Sequence, residues 1–261
     1  MSQGNTTIVV RARSTRESLD LAFPFMFQLG GARYVALASV VQLLLFVAAM
    51  AGFRAANLRW PGMWLFALPF AIALQGVFTV AAGELMFAGE LRVALVLRKF
   101  LGRFLPYAVA LIVSRLAMLL TVMVPVVPPF LWSRWLFIPE VVLLEGATVL
   151  ESMRRASRLA KGSSTAVVEL MFWILAVLAF GMVAAETIGR ALFEYTLQIP
   201  FQSGSLFSDG GSYFSAFGLF AALPVAATLR FLAYIDARAR RDAWEVQIRM
   251  QRIAQLATRV T

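Results

Sequence analysis

The chain has 261 residues, of which 61% are hydrophobic and 15% charged, and its mean hydropathy is +0.78. A soluble domain carries roughly 25% charged residues, so this composition excludes an ordinary soluble protein and indicates an integral membrane protein. Cysteine and histidine are both absent, which excludes disulfides, thiolate chemistry, haem ligation by histidine, the usual zinc sites and every histidine-dependent triad.

Long uncharged stretches predict six membrane crossings. Two of them, 34–53 and 210–229, run 20 residues, and 60–83 runs 24. About 20 apolar residues match the ~30 Å hydrocarbon core of a bilayer. We place the spans, in chain order, at about 33–53, 60–83, 104–124, 130–146, 166–185 and 213–232. The predicted fold is an all-α polytopic membrane bundle of about six spans with interfacial helices on one side.

The fourth predicted span is the shortest, and it contains Arg134, Pro139 and Glu140. It fits either a full crossing or a re-entrant segment. A full crossing places the basic residues that follow it on the same side as the other basic segments, which favours the full span.

Polar or amphipathic segments flank the spans. Residues 1–32 predict an N-terminal segment with an entry helix and no secretory signal. Residues 91–103 and 146–161 each predict a helix lying along the membrane surface, with basic side chains on one face and apolar ones on the other.

The tail, 233–261, is predicted as a basic cytoplasmic helix that follows the last span. Five apolar residues recur in it at spacings of 4, 3, 4 and 3, which is one face of a helix. They are Val246, Met250, Ile253, Ala257 and Val260. Such a stripe fits a second copy of the chain, the membrane surface or another protein.

Basic residues divide unequally between the two sides. Eighteen Arg and Lys residues, counting Arg33 at the start of the first span, fall on the side that carries both termini, and four, counting Arg134, fall on the other. The positive-inside rule therefore predicts that both termini are cytoplasmic. This bias, with attraction to anionic lipid headgroups, accounts for the net charge of +10. We therefore expect no nucleic acid as a partner.

Two opposite charges fall inside the predicted spans at matching depth. Arg115 lies ten residues before Pro125 and Glu140 eleven after Pro129, so a rise of ~1.5 Å per residue brings them level on adjoining spans. A buried charge costs ~2.5–3.5 kcal/mol on insertion scales, which predicts that Arg115 and Glu140 pair. The pair either fixes helix register or forms a relay for protons or ions, or a headgroup site.

No catalytic arrangement is evident in the sequence. It has no glycine-rich phosphate loop, no serine placed beside a base and no pair of acids suited to glycoside or phosphate chemistry. We expect no enzyme activity, no cofactor and no metal site. Glu186 and Arg190, four residues apart near a span end, are expected to form an ion pair.

Two segments share a pattern with a known family. In the first, Glu-Gly leads into a helix with a paired Arg and a Ser and closes on Gly; in the second, the last span ends in Tyr-x-Asp-x-Arg-x-Arg. The residues are Glu145, Gly146, Arg154, Arg155, Ser157, Gly162, Tyr234, Asp236, Arg238 and Arg240. These segments resemble the membrane domain attached to some bacterial glycerophosphoryl diester phosphodiesterases, and its stand-alone relatives of unknown function.

The resemblance implies a helical domain of a bacterial inner membrane and marks those ten positions as candidate motif residues. The chain departs from the pattern at Asp242-Ala243, where the family has Glu-Gly. The soluble phosphodiesterase domain has no counterpart in the sequence, so the resemblance implies no phosphodiesterase activity.

The sequence therefore predicts a non-enzymatic scaffold or accessory subunit of the bacterial inner membrane. Its basic cytoplasmic helices would dock a protein partner, and homo-oligomerisation through the tail is an alternative. The second functional hypothesis is a small transporter or lipid-handling protein that uses the Arg115/Glu140 pair as an intramembrane polar pocket.

Overall fold

A computed structural model describes the backbone of residues 15–161, 164–198 and 204–260, and side chains within 16–161, 164–198 and 204–241. Six helical segments in it are long and apolar enough to cross a membrane, and the chain is an all-α, multi-pass membrane protein. The segments are Gly31–Ala55, Trp60–Ala88, Val93–Leu120, Val127–Glu145, Ser164–Thr196 and Tyr213–Arg241.

The N-terminal part contains two helices. Helix α1 (Thr15–Pro24) is followed by a π turn (Phe25–Leu29) and by α2 (Gly31–Ala55), the first span. Helix α1 packs against the last helix of the chain and also contacts the fifth span. The predicted entry helix is therefore present, and its neighbours are bundle helices.

The second span begins with a 3-10 turn (Trp60–Met63) and continues as α3 (Trp64–Ala88). The third is α4 (Val93–Leu120). The prediction of a separate surface helix at 91–103 was wrong, because residues 93–103 form the first turns of α4. Helical hydrogen bonding continues through Arg103 and Phe104, so the basic turns and the apolar turns belong to one continuous helix.

The fourth span is a broken helix. It consists of α5 (Val127–Trp135), a three-residue α6 (Ile138–Glu140) and a π turn (Val141–Glu145). A short turn joins the end of α4 to the start of the fourth span. Near the other end of the span, the carbonyl of Leu143 accepts a hydrogen bond from Arg103 of α4 (2.6 Å). The segment therefore runs the full height of the bundle.

Three helices complete the fold. Helix α7 (Val149–Lys161) follows the fourth span, α8 (Ser164–Ala191) is the fifth and ends in a π turn (Leu192–Thr196), and α9 (Tyr213–Val260) is the sixth. The predicted basic tail at 233–261 is helical as far as Val260 and continues α9 without a break. No helix-breaking residue lies between Leu232 and Val260, so the span and the tail form one helix.

Helices α9 and α3 form the centre of the bundle. The buried share of the apolar stretch is 78% in α9 and 56% in α3. It is only 17–22% in α2, α4 and α8, so most of the apolar surface of these three helices is left to face lipid. At the seam of α8 and α9, a Cβ on Gly181 would lie 2.7 Å from Ala222 Cβ and 2.8 Å from the carbonyl oxygen of Gly218. Only glycine permits this approach of two helix backbones.

Helix ends meet at two opposite faces of the bundle. On one, here called the loop face, short strands β1 (Gly204–Ser205) and β2 (Gly211–Ser212) pair antiparallel. Trp64 Nε1 donates to the Gly210 carbonyl there (2.8 Å). The other, here called the basic face, holds the end of α3, the start of α4 and α7.

Candidate functional site

A polar cluster lies inside the bundle, between α3, α6 and α9. Gln75 and Thr79 stand one turn apart on α3, Glu140 ends α6, and Arg230 lies on the membrane part of α9. The exposed fraction is 0% for Thr79 and Glu140 and 6% for Arg230. Three helices thus bring four polar side chains together in an otherwise apolar interior.

Arg230 makes the central contacts of this cluster. Its Nε donates to Glu140 Oε1 (2.7 Å), Nη1 to Gln75 Oε1 (2.5 Å) and Nη2 to Thr79 Oγ1 (3.3 Å). Thr79 Oγ1 in turn donates to the carbonyl of Gln75 (3.1 Å). The guanidinium therefore has a partner on each of its nitrogens, as a charge removed from water requires.

One atom of the cluster stands apart from this network. The Oε2 oxygen of Glu140 is buried and has no hydrogen-bond partner within the described part of the chain. A carboxylate oxygen without a donor carries an uncompensated desolvation cost. An oxygen in this position can accept one further hydrogen bond.

The predicted pairing of Arg115 with Glu140 was wrong, because Glu140 pairs with Arg230. Arg115 is exposed on the outer side of α4, its Nη1 lies 3.4 Å from Met118 Sδ, and no ion pair joins it to a carboxylate among the residues described. It lies five residues before Leu120, where α4 ends, so its long side chain can reach the loop face of the membrane.

A second network gathers several of the motif residues at the basic face. Tyr234 donates to Glu145 Oε1 (2.5 Å), Arg238 Nη1 lies 3.4 Å from the same oxygen, and Arg155 forms an ion pair with Oε2. Gly146 follows in a left-handed conformation (φ 71°), which ends the π turn and lets the chain enter α7. This network ties the fourth span, α7 and α9 to one carboxylate.

The other motif residues that the structure describes make contacts elsewhere on α7 and α9. Asp236 accepts from Arg240 on the same helix (2.6 Å), and Gly162 lies outside the described residues. Arg154 and Ser157 line a separate cleft of about 560 Å³ on α7.

The loop face has its own buried carboxylate. The expected Glu186–Arg190 pair is confirmed at 2.9 Å, and Glu186 is only 2% exposed. Glu186 Oε1 also accepts the backbone N–H of Leu206 (3.2 Å), and Oε2 accepts the Ser212 hydroxyl. This carboxylate anchors the β1–β2 hairpin to α8, so its role is structural.

Sequence reasoning missed Gln75, Thr79 and Arg230. The signal was present on α3, since Gln75 and Thr79 are spaced i, i+4 in an otherwise apolar span and therefore share one helix face. Arg230 lies two residues before the end of the predicted sixth span, 213–232, and a charge at the end of a span can reach water without a partner. Within the described ranges, no group of three or more carboxylates is arranged to hold a metal ion.

Comparison with protein-family models, with curated proteins and with solved structures gave no match for this chain.

Proposed function

We propose that this protein is a non-catalytic scaffold or accessory subunit of the bacterial inner membrane, with both termini in the cytoplasm. The observation that carries the proposal is the length of α9. It leaves the apolar bundle near Arg241 and continues as an unbroken helix for 19 further residues, 242–260. A helix of about 28 Å at ~1.5 Å per residue then reaches beyond the span and can present a docking surface.

The sequence of this extension supports a protein-binding role. Its apolar residues, beginning at Val246 and ending at Val260, follow the helical spacing of a single stripe. Apolar residues at that spacing are the usual anchors of a helix that packs into a groove or onto another helix. A second copy of the chain and the membrane surface are the competing occupants.

Helix α7 supports the same proposal through its charge. Arg154, Arg158 and Lys161 line the 560 Å³ cleft together with Trp135 and Met153. No ion pair connects these three cations to a carboxylate in the described part of the chain. An acidic segment of a partner is therefore the chemistry that α7 complements.

The excess of basic residues on one side supports the cytoplasmic placement of both termini. The resemblance to stand-alone membrane domains of bacterial phosphodiesterases supports the bacterial inner membrane. The placement of the carboxyl end is tested by a reporter fused to it.

The docking proposal is tested by crosslinking in native membranes with two matched variants. Met250→Glu/Ile253→Glu places two charges in the apolar stripe. Gln251→Glu/Gln255→Glu places two charges about 140° and 180° around the helix from Val246, at 100° per residue. We expect the stripe variant to lose its crosslinked partner and the control to keep it.

Equal crosslinking yields for the two variants would overturn the proposal. Crosslinks between two copies of the chain that disappear only in the stripe variant would identify the partner as a second copy.

A second candidate function, a small transporter or lipid-handling protein, is favoured by the unpartnered Oε2 of Glu140. In this alternative, the Glu140–Arg230 pair forms the intramembrane polar pocket that the sequence had assigned to Arg115 and Glu140. Under this alternative, the double variant Glu140→Leu/Arg230→Met, which leaves neither charge unpaired, abolishes proton-coupled flux in reconstituted vesicles without loss of folded protein. Under the scaffold proposal, the same variant keeps its crosslinked partner.

A further inference from the structure

A cleft of about 700 Å³ opens on the basic face, where the end of α3, the start of α4, the π turn of the fourth span and α9 meet. Its wall has two chemical characters. Arg98, Lys99, Arg103 and Arg238 contribute cationic groups. Apolar side chains complete the wall, among them Phe87, Leu95, Leu144 and Ile235.

The positive charge of this cleft is only partly neutralised. Lys99 pairs with Glu84 (2.5 Å), and Arg238 lies 3.4 Å from Glu145. Arg103 donates to the Leu143 carbonyl, which is neutral, so its charge is not balanced. Arg98 is exposed and forms no ion pair with any carboxylate that the structure describes. Two arginines therefore leave the cleft with a net positive field.

The cleft lies at the end of the apolar part of α3, which is the level at which a bilayer around these spans would place its headgroups. It opens beside the last turns of α3, an apolar span, and its inner wall includes Val80 and Leu143, which are buried. Basic pockets between membrane helices at this level bind anionic headgroups. A guanidinium binds phosphate with two parallel hydrogen bonds, which a surface lysine cannot match.

We infer that this cleft binds a phosphate group at the membrane surface, held by Arg98 and Arg103, with the apolar wall receiving the glycerol and first acyl carbons when the phosphate belongs to a lipid. The two sources of that phosphate are an anionic lipid headgroup and a soluble phosphate. The lining of this site includes no residue of the 242–260 extension or of α7, so it can be tested separately from the docking proposal.

Gly102 supplies a means of testing the cleft without changing its charge. It lines the cleft on α4, and a Cβ built on it meets no atom within 4 Å. A phenylalanine at this position enters open space, so Gly102→Phe fills the cleft and leaves every cation in place. Replacing a helical glycine also raises helix propensity, so the fold is not expected to suffer.

Binding is measured by native mass spectrometry of the purified full-length chain with phosphatidylglycerol, phosphatidylcholine or inorganic phosphate added. We expect phosphatidylglycerol to bind about tenfold or more tightly than phosphatidylcholine. Both lipids carry the phosphate, but the choline cation cancels the net charge of its headgroup and is repelled by the cationic cleft. Arg98→Gln and Gly102→Phe should each remove that preference. Arg92→Gln, an equal charge change on a neighbouring exposed residue outside the cleft, should retain it.

The inorganic phosphate arm identifies the source. If phosphate displaces phosphatidylglycerol, the site recognises the phosphate alone; if it does not, the site recognises the headgroup together with its lipid. Equal affinity for the two lipids without phosphate binding would overturn the inference. The inference would also be overturned if Arg92→Gln lost as much affinity for phosphatidylglycerol as Arg98→Gln. Full affinity in Gly102→Phe would overturn it as well, because either result means that the lipid responds to general surface charge.

Discussion

Two glutamates on the same short stretch of the fourth span contrast sharply. Glu140 and Glu145 are five residues apart, and both pair with side chains of α9. The side chain of Glu140 is fully buried and that of its partner Arg230 is 7% exposed. At Glu145 the corresponding values are 13% for the acid and 43% and 50% for Arg155 and Arg238.

The difference in exposure separates two kinds of ion pair. For the inner pair, removing one partner leaves a charge in a low-dielectric interior, which costs far more than the attraction between the two groups contributes. For the outer network, water screens a charge that loses its partner. The inner pair therefore fixes the register of α9 against the fourth span, while the outer network adjusts the helix ends.

The largest expected effect comes from breaking the inner pair on one side. Arg230→Met leaves Glu140 buried without its cation, and we expect a loss of about 3–5 kcal/mol in the free energy of unfolding. The measurement is unfolding in mixed micelles followed by tryptophan fluorescence. The double variant Glu140→Leu/Arg230→Met removes both charges and should recover most of that loss.

A double variant as unstable as Arg230→Met would contradict this account of the pair. Arg115→Met is the matched control, because it removes an arginine from a span without leaving a carboxylate unpaired. We expect it to be neutral or stabilising, and its effect should add to that of Glu140→Leu without coupling.

A smaller effect is expected at the outer network. Tyr234→Phe removes the hydroxyl that donates to Glu145 Oε1 but keeps the ring, so we expect about 1 kcal/mol in the same assay. The exposed Tyr195 provides the control, since Tyr195→Phe should leave stability unchanged. A Tyr234→Phe loss that equals that of Arg230→Met would show that the two regions are not energetically distinct.

The smallest change in the free energy of unfolding is expected at an ion pair that is exposed to water. Arg16 and Glu169 are 3.7 Å apart, with exposed fractions of 81% and 42%. We expect Arg16→Gln to change the free energy of unfolding by less than about 0.5 kcal/mol, and the change to vanish at high salt. A loss above about 1 kcal/mol that persists in salt would mean that α1 depends on this ion pair for its position.

The number of spans and their chain order could be predicted because each depends only on the length and hydropathy of a local segment. The partner of Glu140 could not, because depth along a helix says nothing about the direction in which a side chain points. Arg115 and Glu140 are level in the bilayer by count, but Glu140 faces α3 and α9. That orientation is set by packing between helices that are distant in sequence.

Helix continuity was also beyond the sequence argument. A change from basic to apolar composition at 103–104, and from apolar to basic after Leu232, was interpreted as a boundary between elements. Composition marks where a helix crosses from one solvent to another, whereas helices end at breaks in hydrogen bonding. Neither position has such a break, so α4 and α9 pass through both environments.

The unbroken course of α9 has a mechanical consequence. Beyond Pro224 the helix contains no proline or glycine as far as Val260, so a tilt of about 10° in the part around Arg230 displaces the end of the extension, about 28 Å long, by about 5 Å. A change in the packing of the bundle around Arg230 is thereby converted into motion at a distant tip. A partner that held the tip would, by the same geometry, apply torque to the buried polar cluster.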